Sequence, residues 1–200
     1  MAGRITALRR EGPGRIAVEV DGRRWRVVPD DVVVRCGLAT GVELERPLLR
    51  ELRHELRRAD ALTAATRALA RRDLSRRRLD ERLRARGATA PESDRAVATL
   101  EAAGLVDDAR LARRRAEALA ERGWGDAAIA ARLQRDGVTE ELARSAIAGL
   151  APEGERAAAL AGQVSDRRKA WKLLSRRGFS ADSAESALGP LDEEPPAGLG

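Results

Sequence analysis

Two spacings of apolar residues divide the chain. Near the start, Ile16, Val18 and Val20 alternate with Ala17 and Glu19, the period of a strand with one buried face. Asp21-Gly22 follows, a pair that tolerates the two positive φ angles of a tight hairpin turn, and Trp25 and Val27 alternate on the return strand. Ile5 and Leu8 supply a third strand beyond Gly12-Pro13-Gly14. Asp30 is positioned to cap a short helix over 31–36 that Gly37 closes. From about Glu45 the spacing changes to threes and fours: Leu48, Leu49, Leu52 and Leu56 stripe one helix, and Leu62, Ala65 and Leu69 stripe the next. Thr89-Ala-Pro91-Glu92 is a capping box opening a further helix, and Asp107-Asp108 caps another.

The helical part repeats itself. Ala-Leu-Ala recurs at 68–70, 118–120 and 159–161, and counting onward without a gap aligns three stretches. Leu79, Ile129 and Ala170 correspond, then Leu83, Leu133 and Leu174, then Gly87, Gly137 and Gly178. Each glycine is followed by a small or apolar residue (Ala88, Val138, Phe179) and a capping hydroxyl (Thr89, Thr139, Ser180). Chance recurrence in an Ala/Leu/Arg-rich chain does not explain a shared register of stop and cap. The expected fold is mainly α: an elongated tandem array of three-helix repeats behind a small β-containing module. The segments are a hairpin module at 1–45, a connecting helix at 46–60, repeats at 61–108, 109–150 and 153–190, and a flexible acidic tail at 191–200.

Composition narrows the function. The chain has 200 residues, 43% hydrophobic and 35% charged, too apolar for a disordered segment, and it holds no run of the roughly 20 apolar residues that a spanning helix needs. The start carries no apolar signal core, so the expectation is a cytoplasmic protein, monomeric and away from membranes. One cysteine, Cys36, and one histidine, His54, leave no intramolecular disulfide and no Cys/His zinc cage. No phosphate-binding glycine loop or serine elbow is present. His54 reads as a solvated helix residue, Cys36 as a small core residue and Asp107-Asp108 as a cap rather than a metal pair. No catalytic residues, metal or cofactor are expected.

Charge points to binding instead. Lys+Arg number 38 against 32 acidic residues, a net charge of +6, and all but Lys169 and Lys172 of the basic residues are arginine. A GC-rich genome accounts for arginine over lysine but not for clustering: residues 67–86 hold nine arginines against Asp73, Asp80 and Glu81. With Leu79 and Leu83 defining a buried side, Arg76, Arg77, Arg84 and Arg82 lie on the exposed one, near Arg71, Arg72 and Arg86. The equivalent helix of repeat three carries Arg167, Arg168, Lys169, Lys172, Arg176 and Arg177. Repeat two is weaker, with Arg132 and Arg135 beside Asp126 and Asp136. Such faces suit phosphates or an acidic protein equally. With Trp25, Trp124, Trp171 and Phe179 as the only aromatic residues, single-strand binding by base stacking has little composition behind it.

Segment 68–87 (Ala-Leu-Ala-Arg-Arg-Asp-Leu-Ser-Arg-Arg-Arg-Leu-Asp-Glu-Arg-Leu-Arg-Ala-Arg-Gly) resembles the first repeat of the RecX regulators of the RecA recombinase. Gly104-Leu-Val-Asp-Asp-Ala-Arg-Leu-Ala-Arg113 is similar to that family's connecting motif, with Leu111 in place of the usual aromatic. Arg168-Lys-Ala-Trp-Lys-Leu-Leu-Ser-Arg-Arg-Gly-Phe-Ser180 is similar to its closing repeat. The resemblance spans about 61–190 and implies tandem three-helix units. It also implies a non-enzymatic role: binding RecA and its filament on DNA, and modulating recombination, usually by inhibition. The alternative from the residues themselves is a general DNA-binding helical protein with no recombinase partner, and a helical adaptor for another cytosolic protein is a third reading.

Overall fold

The structure, a computed structural model, describes residues 3–189. Three strands lead the chain: β1 (Ile5–Arg10), β2 (Arg15–Val20) and β3 (Arg23–Pro29), an antiparallel sheet in the order β1-β2-β3. Asp21 and Gly22 form the β2–β3 turn with φ of 50° and 77°, the two positive angles that a two-residue hairpin demands. The return strand departs from simple alternation. Val18 pairs with Arg26 and Glu19 with Arg24, so Trp25 is an extra residue in a bulge. One inserted residue shifts the faces: Val28 rather than Val27 is fully buried, and Trp25 moves out to 40% exposure.

Ten helices follow among the described residues: α1 (Asp30–Arg35), α2 (Arg46–Leu69), α3 (Arg76–Arg84), α4 (Ala90–Ala102), α5 (Asp108–Glu121), α6 (Asp126–Arg135), α7 (Glu140–Ala148), α8 (Glu153–Ala161), α9 (Arg167–Arg177) and α10 (Ala181–Leu188). α1 starts one residue earlier than expected, with Pro29 at its N-cap and Gly37 turning at φ 58° beyond its end. The two stripes expected on separate helices lie on one continuous α2, because the residues between them, Arg57-Arg-Ala-Asp-Ala61, contain no glycine or proline to break it. The tail at 191–200 lies outside the described residues.

Backbone contacts divide the chain into two compact units. One holds Leu79–Leu105 and the described residues up to Arg72; the other holds Asp73–Arg78 and the described residues from Val106 onward. In the first, Ile5, Val18, Val28 and Val32 share one core with Leu52 and Leu56 of α2, so hydrophobic packing runs across the 45/46 boundary. In the second, Ile129, Leu133 and Val138 pack with Leu111 and Ala116, while Ala170, Leu174 and Phe179 pack with Ala157 and Ala184.

The glycine stops are the same device three times. Gly87, Gly137 and Gly178 have φ of 92°, 90° and 79°. The next residue's N–H reaches back to a leucine carbonyl: Ala88 to Leu83 at 3.2 Å, Val138 to Leu133 at 3.1 Å and Phe179 to Leu174 at 3.2 Å. These are Schellman closures, which satisfy carbonyls that a helix end would leave orphaned. The three leucines are at most 2% exposed, each burial worth about 1.5–3 kcal/mol.

Candidate functional site

The second helix of each repeat begins at a residue with a distinct task. Ser75 precedes α3, is 1% exposed, accepts the Arg78 N–H at 3.2 Å and donates its hydroxyl to the Asp136 carbonyl at 2.5 Å. Around it, Arg77 Nη2 donates to the Gln134 carbonyl at 2.8 Å, the Arg78 guanidinium bonds the Arg135 carbonyl, and Asp108 accepts the Arg76 N–H at 2.8 Å. The first turn of α3 thus seats on the C-terminal end of α6, where cations are favoured by the helix dipole. Gly125 holds the equivalent place before α6: it is buried, and its N–H donates to the Arg177 carbonyl at 2.9 Å. The third equivalent, Asp166, is exposed, and its carboxylate caps α9 through the Lys169 N–H at 2.9 Å. That backbone hydrogen bond holds its pKa below the usual carboxylate value.

The candidate basic residues fall into two groups. Arg77, Arg84 and Arg177 are committed within the fold. Arg84 Nε donates to Asp80 Oδ1 at 2.9 Å, and Arg177 donates to the Arg122 carbonyl at 2.8 Å while lying 4.7 Å from the Trp124 ring centre. Exposure of Arg77 and Arg84 was expected, but the partners they hold were not. Arg82 is half-buried, with its Nε enclosed and unpartnered. The rest are exposed, several with partners of their own: Lys169 lies 4.0 Å from Asp166, and Arg176 Nε donates to the Lys172 carbonyl at 3.3 Å. Arg71, Arg72 and Arg86 are exposed, without side-chain hydrogen bonds or ion pairs among the described residues. On α9, Arg167, Arg168, Lys169, Lys172 and Arg176 are exposed around buried Ala170 and Leu174. Arg76 is exposed at the start of α3.

Sequence reasoning undervalued repeat two. A groove of about 310 Å³ between α5 and α6 is lined by Arg115, Arg122, Arg132 and Arg135 over Ala118 and Leu119. Of the acidic residues in the same stretch, Asp126 is engaged by Arg156, while Asp136 lines the groove and offsets part of its charge by pairing with Arg115. Arg132 stacks 3.7 Å from the centre of the Trp124 ring. Arg115 and Arg122 are seven apart on one helix face, which is the signal that would have joined them to Arg132 and Arg135.

The chemically reactive side chains among the described residues hold contacts within the fold. His54 lies 3.2 Å from Arg95 Nη1, and the buried Cys36 thiol is pushed to higher pKa first by burial and then by Glu51 and Glu55. Asp107 caps α5 by accepting the Arg110 N–H at 2.8 Å. Among the described residues there is no group of three or more metal-ligating side chains, and no helix long and apolar enough to cross a membrane.

No family model matches the chain. Curated proteins do. Regulatory protein RecX of Chromohalobacter salexigens is 38% identical over 133 residues, covering 62% of this chain and 88% of that protein. Regulatory protein RecX of Halorhodospira halophila is 35% identical over 142 residues, covering 66% and 88%. Among solved structures, a crystal structure of regulatory protein RecX superposes with a TM-score of 0.78 at 20% identity, covering 92% of this chain and 98% of that one. The crystal structure of RecX from Lactobacillus salivarius gives 0.61 at 18% identity, covering 66% and 94%. These two likenesses are of fold.

Proposed function

The chain belongs to the RecX family of regulatory proteins, and from that premise we infer that it binds the RecA recombinase and its DNA filament in the cytoplasm and slows recombination without catalysing a reaction itself. The observation that carries this reading is α9. Five exposed cations, Arg167, Arg168, Lys169, Lys172 and Arg176, surround a buried apolar stripe, so the helix is fixed by packing while its charge is presented outward. Arginine and lysine so placed meet phosphates by charge-assisted hydrogen bonds whose strength falls steeply with salt. Arg71, Arg72 and Arg86 offer a second exposed set on the first unit.

The test is recombinase ATPase and strand exchange with the full chain titrated in. Wild type slows both. Lys169→Ala/Lys172→Ala/Arg176→Ala needs a higher concentration for the same slowing and loses part of the salt dependence, and Arg71→Ala/Arg72→Ala/Arg86→Ala does likewise. Folding changes little in either, because exposed charges contribute less than about 1 kcal/mol each. Arg77 and Arg84 are unsuitable for this purpose, since removing them also removes the bonds to Gln134 and Asp80. If both triple variants slow the recombinase at wild-type concentrations, the contact surface lies elsewhere.

A further inference from the structure

Three of the four aromatic residues are absorbed by packing. Phe179 is 7% exposed, Trp171 packs against the core around Leu174, and Trp124 lies under Arg132 and Arg177. Trp25 is 40% exposed and stands outside the hydrophobic core of its own unit. The bulge puts it there: with Val20 paired to Arg23 and Glu19 to Arg24, unbroken pairing would set Trp25 opposite Val18, which is fully buried.

The surroundings of Trp25 are unlike an ordinary surface. Residues 21–26 are all exposed, and since successive strand residues face opposite ways, the tip of the β2–β3 hairpin is solvated on both faces. The charge there is unbalanced. Arg9 pairs with Glu19 at 2.8 Å and Arg24 with Glu11 at 2.5 Å, but Arg23 and Arg26 hold no hydrogen bond or ion pair through their side chains among the described residues. An indole open to solvent, with a guanidinium two residues before it and another directly after it, matches what an unpaired nucleotide offers: a flat base and a phosphate.

We propose that the tip of the β2–β3 hairpin is a binding site for single-stranded nucleic acid, with a base stacked on Trp25 and phosphates held by Arg23 and Arg26. An acidic protein surface answers the guanidiniums and leaves the indole uncovered, and a membrane surface calls for more apolar area than one ring provides. The site uses none of the residues of the basic helices and requires no recombinase.

The test uses the full chain and a fluorescently labelled oligothymidylate, alone and as its duplex, without recombinase. Trp25→Ala weakens single-strand binding about tenfold or more, the scale of one base stacked on an aromatic ring, whereas Trp25→Phe keeps a stacking face and binds close to wild type. Arg23→Ala/Arg26→Ala lowers the salt slope by about 1.4, two phosphate contacts at about 0.7 each. Wild-type affinity in Trp25→Ala, equal loss in Trp25→Ala and Trp25→Phe, or duplex binding as tight as single-strand binding each overturns the proposal. Should Trp25→Ala melt early, the double arginine variant decides, and an unchanged slope overturns the site. Recombinase assays on the same variants keep the two readings apart. Trp25→Ala that still slows the recombinase but loses the oligothymidylate supports both, and wild type that slows the recombinase without binding oligothymidylate overturns only this site.

Discussion

Gly87 and Gly178 close equivalent helices with the same left-handed turn and the same reach-back bond, yet they sit in different company. A Cβ at Gly87 meets nothing within 4 Å, while one at Gly178 lands 2.6 Å from Ala128 Cβ and 2.8 Å from its backbone nitrogen. Gly137 is intermediate: its added Cβ runs into the Ser75 hydroxyl, a side-chain atom rather than backbone. Sequence register makes the three positions equal, and packing separates them. At Gly137 and Gly178 the glycine serves twice, once for the positive φ and once to let the start of an earlier helix, α3 and α6 respectively, seat against the turn. At Gly87 only the φ requirement remains.

Gly125→Ala and Gly178→Ala test the tightest of these seats from its two sides. The Cβ of the first collides with the Gly178 carbonyl and the Phe179 nitrogen, backbone atoms that no side-chain rotation clears. Overpacking of this kind costs typically 1–3 kcal/mol, and Gly178→Ala adds about 1–2 kcal/mol for a left-handed alanine. In urea denaturation Gly178→Ala loses about 2–5 kcal/mol and Gly125→Ala about 1–3 kcal/mol. Gly137→Ala loses about 2 kcal/mol, and part of that returns when Ser75→Gly is added, because the colliding hydroxyl is gone. A double-mutant cycle with no coupling between Ser75 and Gly137 removes the seat from the explanation.

What the sequence made readable is what neighbours decide. Asp21-Gly22 specifies its own turn, the glycine stops carry their φ requirement locally, and Glu92 lies three residues after the Thr89 it caps. The three strands followed from these signals, and so did the helices, save that two expected as separate elements form the single α2. The bulge at Trp25 did not, because one extra residue in a strand shows only in the register of its partner. The uses of arginine were equally hidden: Arg77 bonds a carbonyl 57 residues away, and nothing local distinguishes it from Arg72, which faces solvent. The groove of Arg115, Arg122, Arg132 and Arg135 was obscured by Asp126 and Asp136 in the same stretch; Asp126 is held by Arg156, and Asp136 pairs with Arg115 inside the groove. The candidate site was therefore legible as composition but not as an assignment of individual side chains.

The first repeat differs from its equivalents at the cap of its third helix as well. After Gly87 comes a carboxylate, Glu92, where the aligned positions after Gly137 and Gly178 are Leu142 and Ser183. Glu92 is 4% exposed, accepts the Thr89 N–H at 3.0 Å and the Arg57 Nε at 2.6 Å, and is held down to about 2 from an ordinary 4.5, chiefly by the Thr89 backbone bond and then by Arg57. The folded state thus binds this proton more weakly than the unfolded chain does. Its contribution is whole above about pH 4.5 and is lost as pH falls toward about 2. Thermal melts of wild type and Glu92→Gln should therefore converge on acidification: a clear gap at neutral pH and a much smaller one near pH 2.5. A gap independent of pH assigns Glu92 a shape role rather than a charge role.

The smallest effect belongs to Gly87→Ala, and it calibrates the rest. At φ 92° an alanine pays for its Cβ whatever surrounds it, and with nothing within 4 Å that is the whole cost, about 1–2 kcal/mol. Asparagine tolerates left-handed backbone better than other side chains, so Gly87→Asn should lose less than Gly87→Ala. At Gly178 the order should reverse, because the larger residue brings more atoms against Ala128. Urea midpoints for the four variants read this directly. The same ranking at both positions means that φ alone governs the two turns, and that the close approach to Ala128 relaxes at negligible cost. Opposite rankings mean that one local signal, written three times, is converted into different stabilities by what packs upon it.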